Sequence, residues 1–258
     1  MNNLAKNLNR FRLITFDITD TLLRFKTAPA VQYVKAASKH GYSNVDQTQI
    51  ANNFSRLFRQ MTEKYPIFGY HHPQEIKGWR DWWRQLVIGV FEASHANIPA
   101  ADLERIANYL IECFETSECW QRCSSAKHLV DDIQKVGKII GVITNSDPRI
   151  RSVIRNLQLP EFDFITCSYE VGFQKPSHEI FDAAVQLAGQ DVQSSESLHI
   201  GNTPHLDYLG AHSAGWTSIL ITNNCDSWKK YSKDIDTSKI FPTLQQFHEA
   251  LKEKHLNL

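Results

Sequence analysis

The sequence predicts an α/β fold: a three-layer parallel sheet with an all-helical module inserted between its first and second strands. Two observations predict it. Five short apolar runs read as buried strands, Phe11–Phe16, Ile139–Ile143, Phe164–Ser168, Leu198–Ile200 and Thr217–Ile221. They are rich in β-branched or aromatic residues and alternate, from the second run onward, with helical patterns. Between the first and second runs, helical periodicity alone is found.

Taken in order, the first run ends at Asp17, a polar stop for a buried strand. A helix is expected over Ala30–Lys39. Ile50, Phe54, Leu57, Phe58 and Met61 then form one helical stripe. Trp79, Trp82, Trp83, Leu86, Val87, Val90 and Phe91 form a wider one, and Leu103, Ile106, Ala107, Leu110, Ile111 and Phe114 a third. Pro66, Gly69 and Pro73 break the pattern between the first two. The tryptophans read as packing residues, with one of the adjacent pair Trp82–Trp83 able to face a cleft. Ala126, Leu129, Val130 and Ile133 recur at i, i+3, i+4 and i+7, as do Ile180, Phe181, Ala184, Leu187 and Ala188. Thr243 and Gln246 match a capping box ahead of a last helix. The expected organisation is a core of residues 10–24 and 119–258, with a helical insertion at 25–118.

Composition excludes several functions. Lys and Arg number 28 against 28 Asp and Glu, so no basic excess exists to neutralise nucleic-acid phosphates. No apolar run approaches the ~20 residues of a membrane span. Cys113, Cys119, Cys123, Cys167 and Cys225 contain no Cys-x-x-Cys pair, so free thiols are expected rather than a zinc site. With no apolar signal core at the N-terminus, the expected location is a soluble, reducing compartment, cytoplasmic or nuclear.

Ligands of an open parallel sheet collect outside the carboxyl ends of its strands. Those ends carry Asp17-Ile18-Thr19-Asp20-Thr21-Leu22, then Thr144-Asn145-Ser146-Asp147, then Lys175-Pro176 before a helix, then Gly201-Asn202 with Asp207 five residues on. A carboxylate, a hydroxyl, a lysine and an amide–carboxylate pair thus follow one another in chain order along one edge.

These four motifs, with a helical insertion after the first, resemble the haloacid dehalogenase-like (HAD) hydrolase superfamily over nearly the whole chain. The resemblance implies a Rossmann-like core and reads the insertion as a cap. It implies Asp17 as the nucleophile that forms an acyl-phosphate with a small-molecule substrate. Thr144 and the backbone N–H of Asn145 would cradle the transferring group, and Lys175 would offset its charge. A Mg2+ ion would be held by Asp17, the backbone carbonyl of Thr19, Asn202 and, through water, Asp207.

Two positions depart from the family pattern. Thr19 stands where phosphatases of the family carry the acid that protonates the leaving group, help commonly worth ~10²–10⁴ in rate. Asn202 replaces a metal carboxylate, so Mg2+ is expected to bind weakly. Asp20 and His205 are the nearby groups to examine for compensation. Three readings stay open: a weak or specialised phosphatase-type hydrolase of small phosphorylated metabolites, a catalytically inactive binding module, and a metal-independent dehalogenase or ester hydrolase.

Overall fold

The protein is described by a computed structural model covering residues 3–189 and 191–258. Its strands are β1 (Leu13–Phe16), β2 (Leu23–Phe25), β3 (Trp120–Arg122), β4 (Ile139–Thr144), β5 (Phe164–Cys167), β6 (Ser197–Gly201), β7 (Thr217–Ile221) and β8 (Ile240–Phe241). Six of them form one sheet in the order β5-β4-β1-β6-β7-β8, and β2 pairs with β3. Every neighbouring pair in the six-stranded sheet is parallel. The five expected strands are all present. The sixth, β8, is only two half-buried residues long, too short to show any periodicity.

Every residue of β1 and β6 is buried, which requires cover on both faces of the sheet. Leu13, Ile143, Phe164, Ile180, Phe181, Ala211 and Trp216 pack together in one such layer. Strand order also positions the site. From β1 the chain winds outward through β4 and β5, then returns to β6 and continues through β7 and β8. The direction of winding therefore reverses at β1, the kind of switch point beside which open α/β sheets bind their ligands.

The chain divides into two compact units. One comprises the chain up to Arg24, Arg122–Asn145 and Gln158–Leu258. The other comprises Phe25–Gln121 together with Ser146–Leu157. The second unit contains the helices Pro29–Lys39, Gln47–Lys64, Trp79–Ala93 and Ala100–Cys113. Its core joins Tyr33, Ile50, Trp82, Leu86, Val90, Phe91, Ile106 and Leu110. Asp46 caps the helix Gln47–Lys64 by accepting from the N–H groups of Thr48 and Gln49. Thr243 does the same at the last helix, accepting from Gln246 N.

The segment Ser146–Leu157 was expected with the sheet and instead packs with the helical unit. The cause is tertiary. Asp147 accepts from Trp83 Nε1 at 2.7 Å and binds Arg149 through both carboxylate oxygens, at 2.9 and 2.7 Å. The Arg149 guanidinium lies 4.7 Å from the centre of the Trp83 ring and 5.2 Å from that of Trp79. Trp82, in contrast, is fully buried and donates to Tyr65 O. Trp83→Phe, which removes one hydrogen bond to a carboxylate that keeps Arg149, is expected to lower stability by about 1.5–3 kcal/mol in urea unfolding. Among the described residues no helix is long and apolar enough to cross a membrane.

Candidate active site

Parallel register brings the four motifs to one edge. Phe16 pairs with Val142 on one side and Ile200 on the other, so Asp17 leaves β1 level with the ends of β4 and β6. Thr144 ends β4 and is buried, paired in register with Cys167 of β5. Lys175 follows β5, and Gly201 ends β6. Asp207 returns from a wide, π-type turn, Pro204–Tyr208, that begins just past Asn202.

Lys175 is the centre of this site, and its side chain is 2 % exposed. Its ammonium donates to Asp17 Oδ1 at 2.7 Å, Asp207 Oδ1 at 2.6 Å and the Ile143 carbonyl at 2.8 Å. All three of its protons therefore have acceptors. The backbone of Lys175 is fixed as well. The Asn145 side-chain amide accepts from Lys175 N at 2.7 Å and donates to Lys175 O at 2.9 Å. Asn145, expected to contribute only its backbone N–H, thus clamps the lysine loop to the loop after β4 through its side chain.

Asp207 is saturated. Its Oδ1 accepts from Lys175 and from His199 Nε2 at 3.2 Å, and its Oδ2 accepts from Asn202 N at 3.0 Å and Thr203 N at 2.8 Å. His199 in turn meets Thr15 Oγ1 through Nδ1 at 2.9 Å. The two carboxylates that share Lys175 are consequently unequal. Burial pushes Asp17 up to about 6, and the lysine only partly offsets this. Burial acts on Asp207 in the same direction, but Lys175 and His199 outweigh it and hold the carboxyl well below the usual range. Burial lowers Lys175, yet the two carboxylates more than compensate and raise it.

Space beneath Asp207 is supplied by Gly201. A Cβ there would sit 2.3 Å from Asp207 Cγ, so any side chain must displace the carboxylate. Gly201→Ala is expected to destabilise the protein by about 1–3 kcal/mol, as overpacking does, measured by urea unfolding.

The remaining sequence candidates divide clearly. Thr19 and Asn202 lie at the site, half-buried. Asn202 offers an amide oxygen that accepts from Thr203 Oγ1 at 3.3 Å. Asp20 is exposed at a φ of 61°, a left-handed turn conformation, with its N–H bonded to Leu23 O. His205 is exposed on the Pro204–Tyr208 turn. Neither Asp20 nor His205 joins the buried cluster. His199 was not singled out by sequence reasoning. Its only signal is a lone histidine inside an otherwise apolar strand run, beside Leu198 and Ile200.

A family model of haloacid dehalogenase-like hydrolases matches residues 11–215, and the chain belongs to that family. It is 39% identical over 256 residues to the rhythmically expressed gene 2 protein of Drosophila melanogaster, covering 96% of this chain and 98% of the relative. It is 30% identical to the haloacid dehalogenase-like hydrolase domain-containing protein 3 of Bos taurus, covering 94% of each chain. Among solved structures, the 2-haloacid dehalogenase of Pseudomonas syringae pv. Tomato DC3000 superposes with a TM-score of 0.63 at 23% identity, covering 93% of this chain and 98% of its own. A magnesium-bound structure of YfnB from Bacillus subtilis, described as a HAD hydrolase, gives 0.65 at 23% identity, covering 94% and 99%. At these identities the solved structures share the fold.

HAD hydrolases commonly use Mg2+, but the residues of this chain fit that ion poorly. Asp207 was expected as a water-mediated ligand, and four donors already surround its two oxygens. Thr19 and Asn202 bring no charge. Asp17 shares Oδ1 with an ammonium at 2.7 Å. Mg2+ prefers charged oxygen ligands and gives up its waters reluctantly. Among the described residues, no three His, Cys, Asp or Glu side chains gather where a metal ion could bind.

Proposed function

We propose that the chain is a phosphatase-type hydrolase of small phosphorylated metabolites, working slowly through a covalent intermediate on Asp17. One observation carries this reading: a buried carboxylate at the switch point of the sheet, bonded to a lysine whose ammonium is shared with a second, fully anchored carboxylate. In this reading Asp17 attacks, and Lys175 stays beside the reacting group as a fixed positive charge. Thr144 and Asn145 bind the transferring group. The helical unit occupies the family's cap position along the chain, and we assign it that role. Slow turnover follows from position 19, since a threonine hydroxyl does not protonate a leaving group near neutral pH. Mg2+ is expected to bind weakly. Five free thiols support a reducing, intracellular location, in the cytoplasm or nucleus.

A second reading, a binding module without turnover, is favoured by the placement of Asp20. The acid nearest to position 19 sits in a turn and stays exposed, so Asp20 does not replace the missing general acid. One panel separates the readings: aryl phosphates, haloacids and esters, with and without Mg2+, for the wild type and Asp17→Asn. Phosphate release that falls to background in Asp17→Asn supports the first reading. Absence of turnover, with metabolite binding preserved in Asp17→Asn, supports the second. Halide or ester cleavage indifferent to chelator would replace both with hydrolysis at carbon.

A further inference from the structure

His199 is buried in a polar chain that leads to Asp17, and the Asp17 reading gives it no role. Thr15 and His199 are paired in register across β1 and β6, so their side chains share one face of the sheet. Asp17 and Gly201 lie two residues further along the same strands, on that same face. With no side chain at Gly201, the Asp207 carboxylate descends into the gap and meets the imidazole. The polar chain then runs Thr15, His199, Asp207, Lys175, Asp17, with successive contacts of 2.9, 3.2, 2.6 and 2.7 Å. Phe181 closes the remaining side of the ring, edge-on, at 5.5 Å.

The hydrogen bonds determine which imidazole nitrogen holds the proton. An ionised Asp207 only accepts, so Nε2 must carry hydrogen. Nδ1 is then the acceptor of the Thr15 hydroxyl. In this arrangement the ring is neutral, and burial favours that state. A neutral ring on a fully buried strand packs less favourably than leucine unless both nitrogens are satisfied, as they are here. Both bonds serve one end: they hold Asp207 Oδ1 where the Lys175 ammonium reaches it and Asp17 together.

We propose that His199 is a positioning residue, holding the Asp207 carboxylate that holds the Lys175 ammonium against Asp17. If Asp17 is consumed in an acyl intermediate, Asp207 becomes the remaining counter-ion of Lys175, and its orientation then depends on His199 and two backbone N–H groups. The kinetic part of the proposal rests on the Asp17 reading; the structural part does not.

The test uses the full chain labelled with 15N. In the wild type, the His199 ring should show an acceptor-type Nδ1 and a protonated Nε2, a measurement that requires no variant to fold. The Nδ1–H tautomer would overturn the proposal. A slowly exchanging Lys175 ammonium signal, assigned by its absence in Lys175→Arg, should exchange about tenfold faster or more in His199→Leu, the scale of losing one hydrogen bond to a charged group. It should be largely restored in His199→Gln, whose amide can still donate to Asp207. Exchange unchanged in a folded His199→Leu, or equally fast in His199→Gln, also overturns the proposal. Against an aryl phosphate, His199→Leu should lower kcat with KM nearly unchanged, and a parallel rise in KM counts against positioning. If the wild type turns over nothing, the Asp17 reading fails, and the ammonium and ring measurements still decide the role of His199.

Discussion

Replacing Lys175 with methionine is expected to lower the free energy of unfolding by about 3–5 kcal/mol at pH 7, the usual cost of leaving buried charge without its partner. The effect is large because one ammonium serves two carboxylates. Asp17 and Asp207 have side chains 11% and 2% exposed, so water cannot replace the lost cation. The penalty should shrink as pH falls, since each carboxyl can be relieved by protonation. In the wild type the two acids act in opposite directions. Asp17 is raised from 3.8 to about 6 in the folded state. Its contribution is therefore present below about 4 and is lost as pH rises through 6. Asp207 is depressed, so its contribution is present above the ordinary carboxyl value and disappears in strong acid. Without Lys175 both carboxyls are raised, and the depressed one no longer offsets the other. Urea unfolding of wild type and Lys175→Met between pH 5 and 8 should show the variant gaining on the wild type toward pH 5. A constant gap across that range would mean that the lysine acts through packing of its stem, not through charge.

The parts of this site that were legible in the sequence are those at strand ends. Asp17, Thr144 and Lys175 each follow an apolar run or precede a helical pattern, and parallel strands bring such positions together without further information. The same logic cannot reach His199, because its role is set by a neighbour on another strand and by an aspartate eight residues away across a turn. It does reach Asn145 as a strand-end residue, but not the role of its side-chain amide, which shows only when the lysine loop is seen beside it. Asp147 and Arg149 were hidden for a related reason. The bond from Trp83 to Asp147 spans 64 residues of sequence, and the segment that carries Asp147 and Arg149, which reads as part of the sheet domain, packs with the helical unit. Periodicity reports which face of an element is apolar; it is silent about which distant polar group will meet that face.

Restoring both missing acids, in Thr19→Asp with Asn202→Asp, is expected to raise Mg2+-dependent phosphatase turnover by about 10²–10⁴, the range of general acid–base help. The two changes act on different deficits. A carboxyl at 19 can donate a proton to the leaving group, and a carboxylate at 202 adds the charge that the amide oxygen lacks. Neither is neutral for stability. Two further negative groups beside Asp17, which burial already raises to about 6, should repel it and lower the melting temperature in the absence of metal. Mg2+ should then recover that loss, because an ion that binds only the folded state stabilises it, by about 2.7 kcal/mol at a hundredfold excess over its Kd. The wild type, with a saturated Asp207 and no charge at 19 or 202, should respond little to the same titration. Thermal unfolding with and without Mg2+ therefore reads the metal site independently of turnover. A double variant that gains Mg2+ stabilisation and no activity would locate the defect in the proton transfer at position 19. One that gains neither would show that positions 19 and 202 do not converge on Asp17, and the phosphatase reading would fall with that result.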